Sequence, residues 1–167
     1  LALSGRAREG RNVIARTGGR EPGAIVLLAH YDGPTTSSQS AGASASGVGT
    51  LLELARILES RTHRHPFIYV ALDAGTWGQV GAAHVVDALG GADSVLAAIS
   101  IDHVANGADS GVTISGVGQG PGYAPLWLRA AAADAFAQDG TPFKDVGPLE
   151  EWYLRTIRQS EEDQGPL

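Results

Sequence analysis

The sequence predicts an α/β sandwich of three layers, with a mostly parallel mixed sheet flanked by helices. Three apolar segments of strand length, Ile25–His30, Phe67–Leu72 and Val95–Val104, are separated by two segments that are helical in pattern. Strands that are apolar along most of their length are typical of parallel sheets, because helices cover both faces of such sheets. The alternation of strands and helices along the chain therefore favours this fold class.

The first half of the chain contributes two expected strands and one helix. Asn12–Arg16 is a short strand candidate, and a turn leads from it into the buried strand Ile25–His30. A loop rich in Ser, Thr, Gly and Ala follows at 33–47. Ser46 is a suitable N-cap residue for a helix that runs to about Ser60. The apolar residues at helical spacing are Val48, Leu51, Leu52, Ala55 and Leu58.

The second half of the chain continues the alternation. Among the expected strands, the shorter ones at each end of the series are the candidates for antiparallel pairing. The connector that contains His63 and His65 is interpreted as a solvated segment. The expected elements are the strand Phe67–Leu72, the helix Val80–Leu89, the strands Val95–Val104 and Val112–Ser115, the helix Leu126–Ala137 and a further helix at Leu149–Ile157.

Composition and charge exclude several classes of function. The chain has 167 residues, 43% of them hydrophobic, so residues 1–167 are interpreted as a single domain with a core. The net charge is −6 and no basic block has an aromatic neighbour, which argues against nucleic acid as a partner. No apolar run reaches the roughly 18 residues of a membrane span. Because the chain starts without Met, we expect it to be a piece of a longer protein.

One basic cluster lies near the amino terminus. Its five arginines are interspersed with glycines, and we interpret it as an exposed, solvated entry segment. The members are Arg6, Arg8, Arg11, Arg16 and Arg20.

Polar side chains follow the buried strands at the points where these end. A period of two along a strand places His30 and Asp32 on the same side of the chain. Such a pair suits a metal-binding His whose other ring nitrogen is held by a carboxylate. Asp73 and Asp102 end the next two strands, and functional loops gather at the carboxyl ends of parallel strands. We expect Asp73 to cap a turn and His103 to face away from Asp102.

The order of these motifs resembles the two-zinc aminopeptidase-type domain of metallopeptidase family 28. The resemblance implies an aminopeptidase-like (phosphorylase/hydrolase-like) fold, here truncated at the C-terminus. It also implies that His30 and Asp102 match zinc ligands and that Asp32 matches the carboxylate partner of the His. The motifs that carry it are His30-Tyr-Asp32, Ala45-Ser-Gly-Val48, Asp73 after a strand, Gly78-x-x-Gly-Ala82 and Ile101-Asp102.

Four other positions of this resemblance do not match. Ala43 stands where the family has its bridging Asp, and Gly75 stands where it has the general base. Thr76 and Gln164 take the places of a carboxylate ligand and a His ligand. Ala and Gly have no donor atoms, and the side chains of Thr and Gln are neutral and poor ligands for zinc. Catalytic zinc usually has three protein ligands, so the two retained ligands would be too few.

The sequence therefore predicts a non-catalytic member of this family with a binding or structural role and without a zinc cofactor. The expected ligand at the strand ends is a peptide or a protein. The alternative is an active zinc-dependent aminopeptidase whose ligands come from other parts of the chain. A third hypothesis is a small-molecule-binding domain that uses the loop at 116–122, but its glycines lack the G-x-G-x-x-G spacing.

Overall fold

The computed structural model describes residues 9–33, 44–74, 80–105, 111–114, 116, 124–145, 147, 149, 152, 153 and 156. A 3₁₀ turn at Ala92–Ser94 precedes β4. The strands and α-helices in chain order are β1 (Val13–Arg16), β2 (Ala24–His30), α1 (Ser46–Glu59), β3 (Phe67–Leu72), α2 (Val80–Ala88), β4 (Val95–Ser100), β5 (Val112–Ile114), α3 (Leu126–Asp139) and β6 (Phe143–Asp145).

The main sheet has four strands in the order β1-β3-β2-β4. Strand β2 is central and runs parallel to both β3 and β4, whereas β1 pairs antiparallel with β3. The prediction of a mostly parallel mixed sheet is thus confirmed. Strand β5 does not join this sheet, because it pairs parallel with β6 in a second sheet of two strands. Strand β6 was not expected from the sequence, because its three residues are too few to show a strand pattern.

Helices cover both faces of the main sheet and give the three expected layers. Side chains alternate between the two faces because successive residues of a strand point in opposite directions. One face packs against α2, and its buried residues are Ala24, Val26, Leu28, Ile68, Val70, Leu72, Ala82 and Val85. The other face packs against α1, and its buried residues are Leu27, Ala29, Leu51 and Tyr69.

Two expected boundaries are wrong. Strand β4 ends at Ser100 rather than Val104, because the chain turns out of the sheet and His103 adopts a left-handed backbone with φ of 51°. Ser46 lies inside α1 instead of capping it. The residue before the helix is Ala45, which already has helical angles and whose methyl side chain has no group that could cap the helix.

In the carboxyl-terminal part of the described chain, β5 and α3 lie where the sequence predicts a strand and a helix. Helix α3 packs the ring of Phe136 against that of Phe143 in β6, with 6.4 Å between the ring centroids. Leu149, Trp152, Tyr153 and Thr156 are helical, and the rest of the helix expected at 149–157 lies outside the described residues. None of the helices in the described ranges is both long and apolar enough to span a membrane.

Candidate functional site

The carboxyl ends of β2 and β4 bring His30 and Asp102 together. His30 is the last residue of β2, and Asp102 follows the neighbouring strand by two residues. The distance from Nδ1 of His30 to Oδ2 of Asp102 is 3.9 Å, and less than a fifth of either side chain is exposed (13% and 18%). The backbone N–H of Ile101 donates to the carbonyl of Leu28 at 2.8 Å, which fixes the exit of β4 against β2. The roles of both residues as metal ligands stay predictions.

His103 lies beside Asp102, so the expectation that it faces away is wrong. Its Nδ1 is 2.9 Å from Oδ2 of Asp102, and its backbone N–H donates to Oδ1 at 2.8 Å. The alternation rule fails here because β4 has already ended and the backbone is left-handed at His103. Both imidazoles therefore approach Oδ2 of Asp102, and the nearer one belongs to the more exposed His103, whose side chain is 54% exposed.

Asp73 follows β3 and holds the amino-terminal segment against the sheet. Its carboxylate accepts the backbone N–H of Arg11 at 3.0 Å and that of Ala74 at 2.9 Å. These bonds favour the ionised form, so the Arg11 N–H above all lowers the pKa of Asp73. Its contact with Ala74 is that of a turn residue, as the sequence indicates. Because both oxygens already accept backbone hydrogen bonds, we assign Asp73 a structural role.

Asn12 is a positioning residue that the sequence did not single out. Its Oδ1 accepts the backbone N–H of Asp73 at 3.0 Å, and its Nδ2 donates to the carbonyl of Gly81 at 2.8 Å. Gly81 lies so close to Asp73 that a Cβ at this position would overlap the Asp73 carbonyl oxygen. The Gly at 81 within Gly78-x-x-Gly-Ala82 was the one signal of this close approach.

The histidines of the connector before β3 are half-buried and contact the backbone of neighbouring segments. His63 Nε2 is 2.6 Å from the carbonyl oxygen of Leu58, and its ring packs edge-on against Phe67 with 4.9 Å between centroids. His65 Nδ1 is 2.9 Å from the carbonyl oxygen of Pro22. Arg61, Thr62 and Arg64 of this connector are exposed, as expected of a solvated segment, whereas its two histidines are half-buried.

The other residues of the predicted site are beyond structural description. Ala43, Gly75, Thr76 and Gln164 all lie outside the described residues. Asp32 is half-buried at the end of β2. Within the part of the chain that the structure describes, no group of three or more His, Cys, Asp or Glu side chains is arranged to hold a metal ion.

The fold defines the class of protein. A mixed sheet between two helical layers is an aminopeptidase-like fold. The chain belongs to peptidase family M28, whose model matches residues 12–150. The resemblance seen in the sequence motifs is thereby confirmed. A comparison with curated protein sequences finds no match.

Solved structures share this fold. BSAP, a zinc aminopeptidase from Bacillus subtilis, superposes with a TM-score of 0.72 at 20% identity over 93% of this chain and 36% of its own. The LapA aminopeptidase of Legionella pneumophila gives 0.65 at 24% identity, over 80% of this chain and 37% of its own. A glutaminyl cyclase from an Acidobacteriales bacterium gives 0.59 at 20% identity, over 82% of this chain and 58% of its own. The chain thus spans only part of the length of each of these proteins.

Proposed function

We propose that the chain is a non-catalytic member of peptidase family M28 that binds a peptide at the carboxyl ends of β2 and β4. We also propose that residues 1–167 form a single domain. The observation that carries the proposal is the set of side chains available at the site. His30 and Asp102 lie together at the strand ends, and the positions that by resemblance would carry the other ligands and the general base hold Ala, Gly, Thr and Gln.

The available side chains do not fit a two-zinc centre. Such a centre needs a carboxylate between the two ions and further anionic or imidazole ligands on each. Ala43 and Gly75 have no side-chain donor, and Thr76 and Gln164 are neutral. The proton acceptor expected at position 75 is missing as well, so an attacking water has no general base there.

The groups at the strand ends suit a polar ligand with a cationic end. The carboxylate of Asp102 lies near the imidazoles of His30 and His103. Tyr31 and Asp32 follow His30 in the chain, and Tyr31 is 42% exposed. Carboxylates can accept hydrogen bonds from a peptide amino group, and an exposed aromatic ring supplies apolar contact area. The placement at the carboxyl ends of parallel strands is where ligands bind in sheets of this type.

The second candidate function is zinc-dependent aminopeptidase activity. One structural observation favours it, namely the 3.9 Å approach of His30 to Asp102, which keeps two of the side chains that match ligands in place. Two of the similar solved structures, BSAP and LapA, are aminopeptidases. This candidate requires zinc ligands from positions other than those that the family resemblance identifies.

Hydrolysis of an aminoacyl amide separates the two functions. The full chain is incubated with zinc and the substrate, alongside the variants His30→Ala and His84→Ala. His84 is a matched control because it is an exposed histidine of α2. The proposal predicts no turnover above the blank for any of the three proteins. Zinc-dependent turnover that His30→Ala abolishes and His84→Ala retains would replace the proposal by the peptidase function.

Peptide binding needs a test of its own. A dipeptide amide, titrated into the wild-type chain and observed by NMR, should shift resonances of His30, Tyr31 and His103 in a saturable way. An N-acetylated dipeptide amide lacks the cationic end and should bind more weakly. Equal shifts with both peptides, or none with either, would contradict peptide binding at this site.

A further inference from the structure

A cavity lies at the end of the sheet opposite His30. Its walls come from the end of β1, the turn after it, the end of α1 and the connector to β3. The register of β2 on β3 places His30 beside Leu72, whereas Arg16 at the end of β1 pairs with Ile68 near the start of β3. The cavity has a volume of about 410 Å³, within the usual range for small-molecule sites. It is therefore separate from the site described above.

The cavity is positively charged in a protein that is acidic overall. Arg16, Arg20 and Arg61 line it together with one carboxylate, Glu59, whereas the chain as a whole carries a net charge of −6. With three guanidinium groups and one carboxylate, the lining of the cavity has a net charge of about +2. No salt bridge joins any of these three arginines to another residue of the described ranges. By contrast, nearby Arg64 is paired with Glu21 at 2.8 Å.

The walls of the cavity are held by hydrogen bonds. The backbone N–H of Thr17 donates to the carbonyl of Phe67 at 2.9 Å, and the N–H of Phe67 donates to Oγ1 of Thr17 at 2.9 Å. The N–H groups of Arg20 and Glu21 both donate to the carbonyl of Arg64 at 2.8 Å. Gly19 approaches the backbone of the connector so closely that a Cβ there would overlap Pro66. The turn and the connector thus form a fixed frame from which arginine side chains project.

We propose that this cavity binds a small molecule through a phosphate group. A guanidinium group presents parallel N–H donors that match phosphate oxygens, and such charge-assisted bonds are among the strongest in proteins. Two excess positive charges balance a phosphate monoester, which carries nearly two negative charges at neutral pH, better than they balance a single carboxylate. The volume leaves room for an organic group beside the phosphate. Arg16 and Arg20 are exposed, as the sequence predicts for this basic cluster, and both line the cavity.

Calorimetric titration with phenyl phosphate tests this proposal. The wild-type chain in low-salt chloride buffer should bind one phenyl phosphate saturably, and should bind benzoate, the matched monoanion, at least about tenfold more weakly. The variant Arg16→Gln/Arg20→Gln/Arg61→Gln should lose at least about tenfold in affinity for phenyl phosphate, since it removes all three cationic partners. Inorganic phosphate should compete with phenyl phosphate for the same site.

Matched variants keep the test informative if the triple variant folds poorly. Arg56→Gln removes an arginine of α1 that is paired with Glu53 outside the cavity, and it should bind phenyl phosphate as the wild type does. Glu59→Gln removes the one negative charge of the lining and should tighten binding. Absence of saturable binding to the wild type would overturn the proposal. So would an affinity that falls equally in Arg56→Gln and in the single variants Arg16→Gln, Arg20→Gln and Arg61→Gln, or an affinity that Glu59→Gln lowers.

Discussion

Gly47 sets the distance between helix α1 and the exit of β4, and its replacement by Ala tests whether this contact positions the site. Gly47 is the second residue of α1 and is buried. A Cβ there would overlap the carbonyl oxygen of Ile101 and would lie 3.3 Å from its carbonyl carbon and 3.5 Å from Cβ of Ala29. Ile101 immediately precedes Asp102, so any displacement that relieves the overlap moves the Asp102 side of the pair.

The expected loss of stability follows from the neighbours of Gly47. Ile101 cannot yield easily, because its N–H donates to the carbonyl of Leu28 at 2.8 Å. Introducing a methyl group into such a packed contact costs about 1–3 kcal/mol. Gly49 is a matched control on the same helix, since a Cβ there would meet nothing within 4 Å. Gly49→Ala should stabilise the protein by about 0.5–1 kcal/mol, the usual gain of Ala over Gly in a helix.

Urea denaturation of both variants measures the difference directly. Both substitutions gain helix propensity, so the difference in the free energy of unfolding isolates the overlap at Gly47. We expect Gly47→Ala to be less stable than Gly49→Ala by about 1–3 kcal/mol, and we expect NMR resonances of Asp102 and His103 to shift only in Gly47→Ala. Equal stability of the two variants would refute the close approach of α1 to β4.

Two further predictions concern the core and the amino-terminal segment. Leu28→Ala should lower the free energy of unfolding by about 2–5 kcal/mol, because Leu28 is fully buried in the central strand; a loss below about 1 kcal/mol in urea denaturation would contradict this packing. Asp73 has a lowered pKa in the folded state, so its stabilisation is present above the unfolded-state pKa and is lost as pH falls below about 4. Between about pH 4 and pH 2, the free energy of unfolding of Asp73→Asn should therefore fall less than that of the wild type. Parallel pH profiles of the two proteins would contradict the role of the bonds from Asp73 to Arg11 and Ala74.

The fold was largely predictable because hydrophobic pattern and strand length determine it. Ile25–His30 and Phe67–Leu72 are nearly uniformly apolar, and both are buried parallel strands. The end of β4 was not predictable in this way, since the apolar residues of 101–104 continue a strand pattern after the chain has left the sheet. Strand β6 was missed because three residues carry too little pattern to separate from a loop.

The site was predictable in its framework but not in its local contacts. His30 ends β2 and Asp102 follows the adjacent strand β4 by two residues, so the strand order brings them together. The approach of His103 to Asp102 depends on a left-handed backbone at His103, and no sequence pattern predicts this conformation at a residue other than Gly. Arg16 and Arg61 are far apart along the chain, and only the antiparallel pairing of β1 with β3 places them around one cavity.

Zinc stoichiometry of the purified full chain tests the central claim most directly. The chain is equilibrated with excess zinc, freed of unbound metal by gel filtration and analysed by elemental emission, together with His30→Ala and His84→Ala. The account predicts less than one zinc ion per chain in the wild type, with no difference between the two variants. Two zinc ions per chain in the wild type and in His84→Ala, with loss of zinc in His30→Ala, would show that the chain assembles a metal centre and would contradict the account.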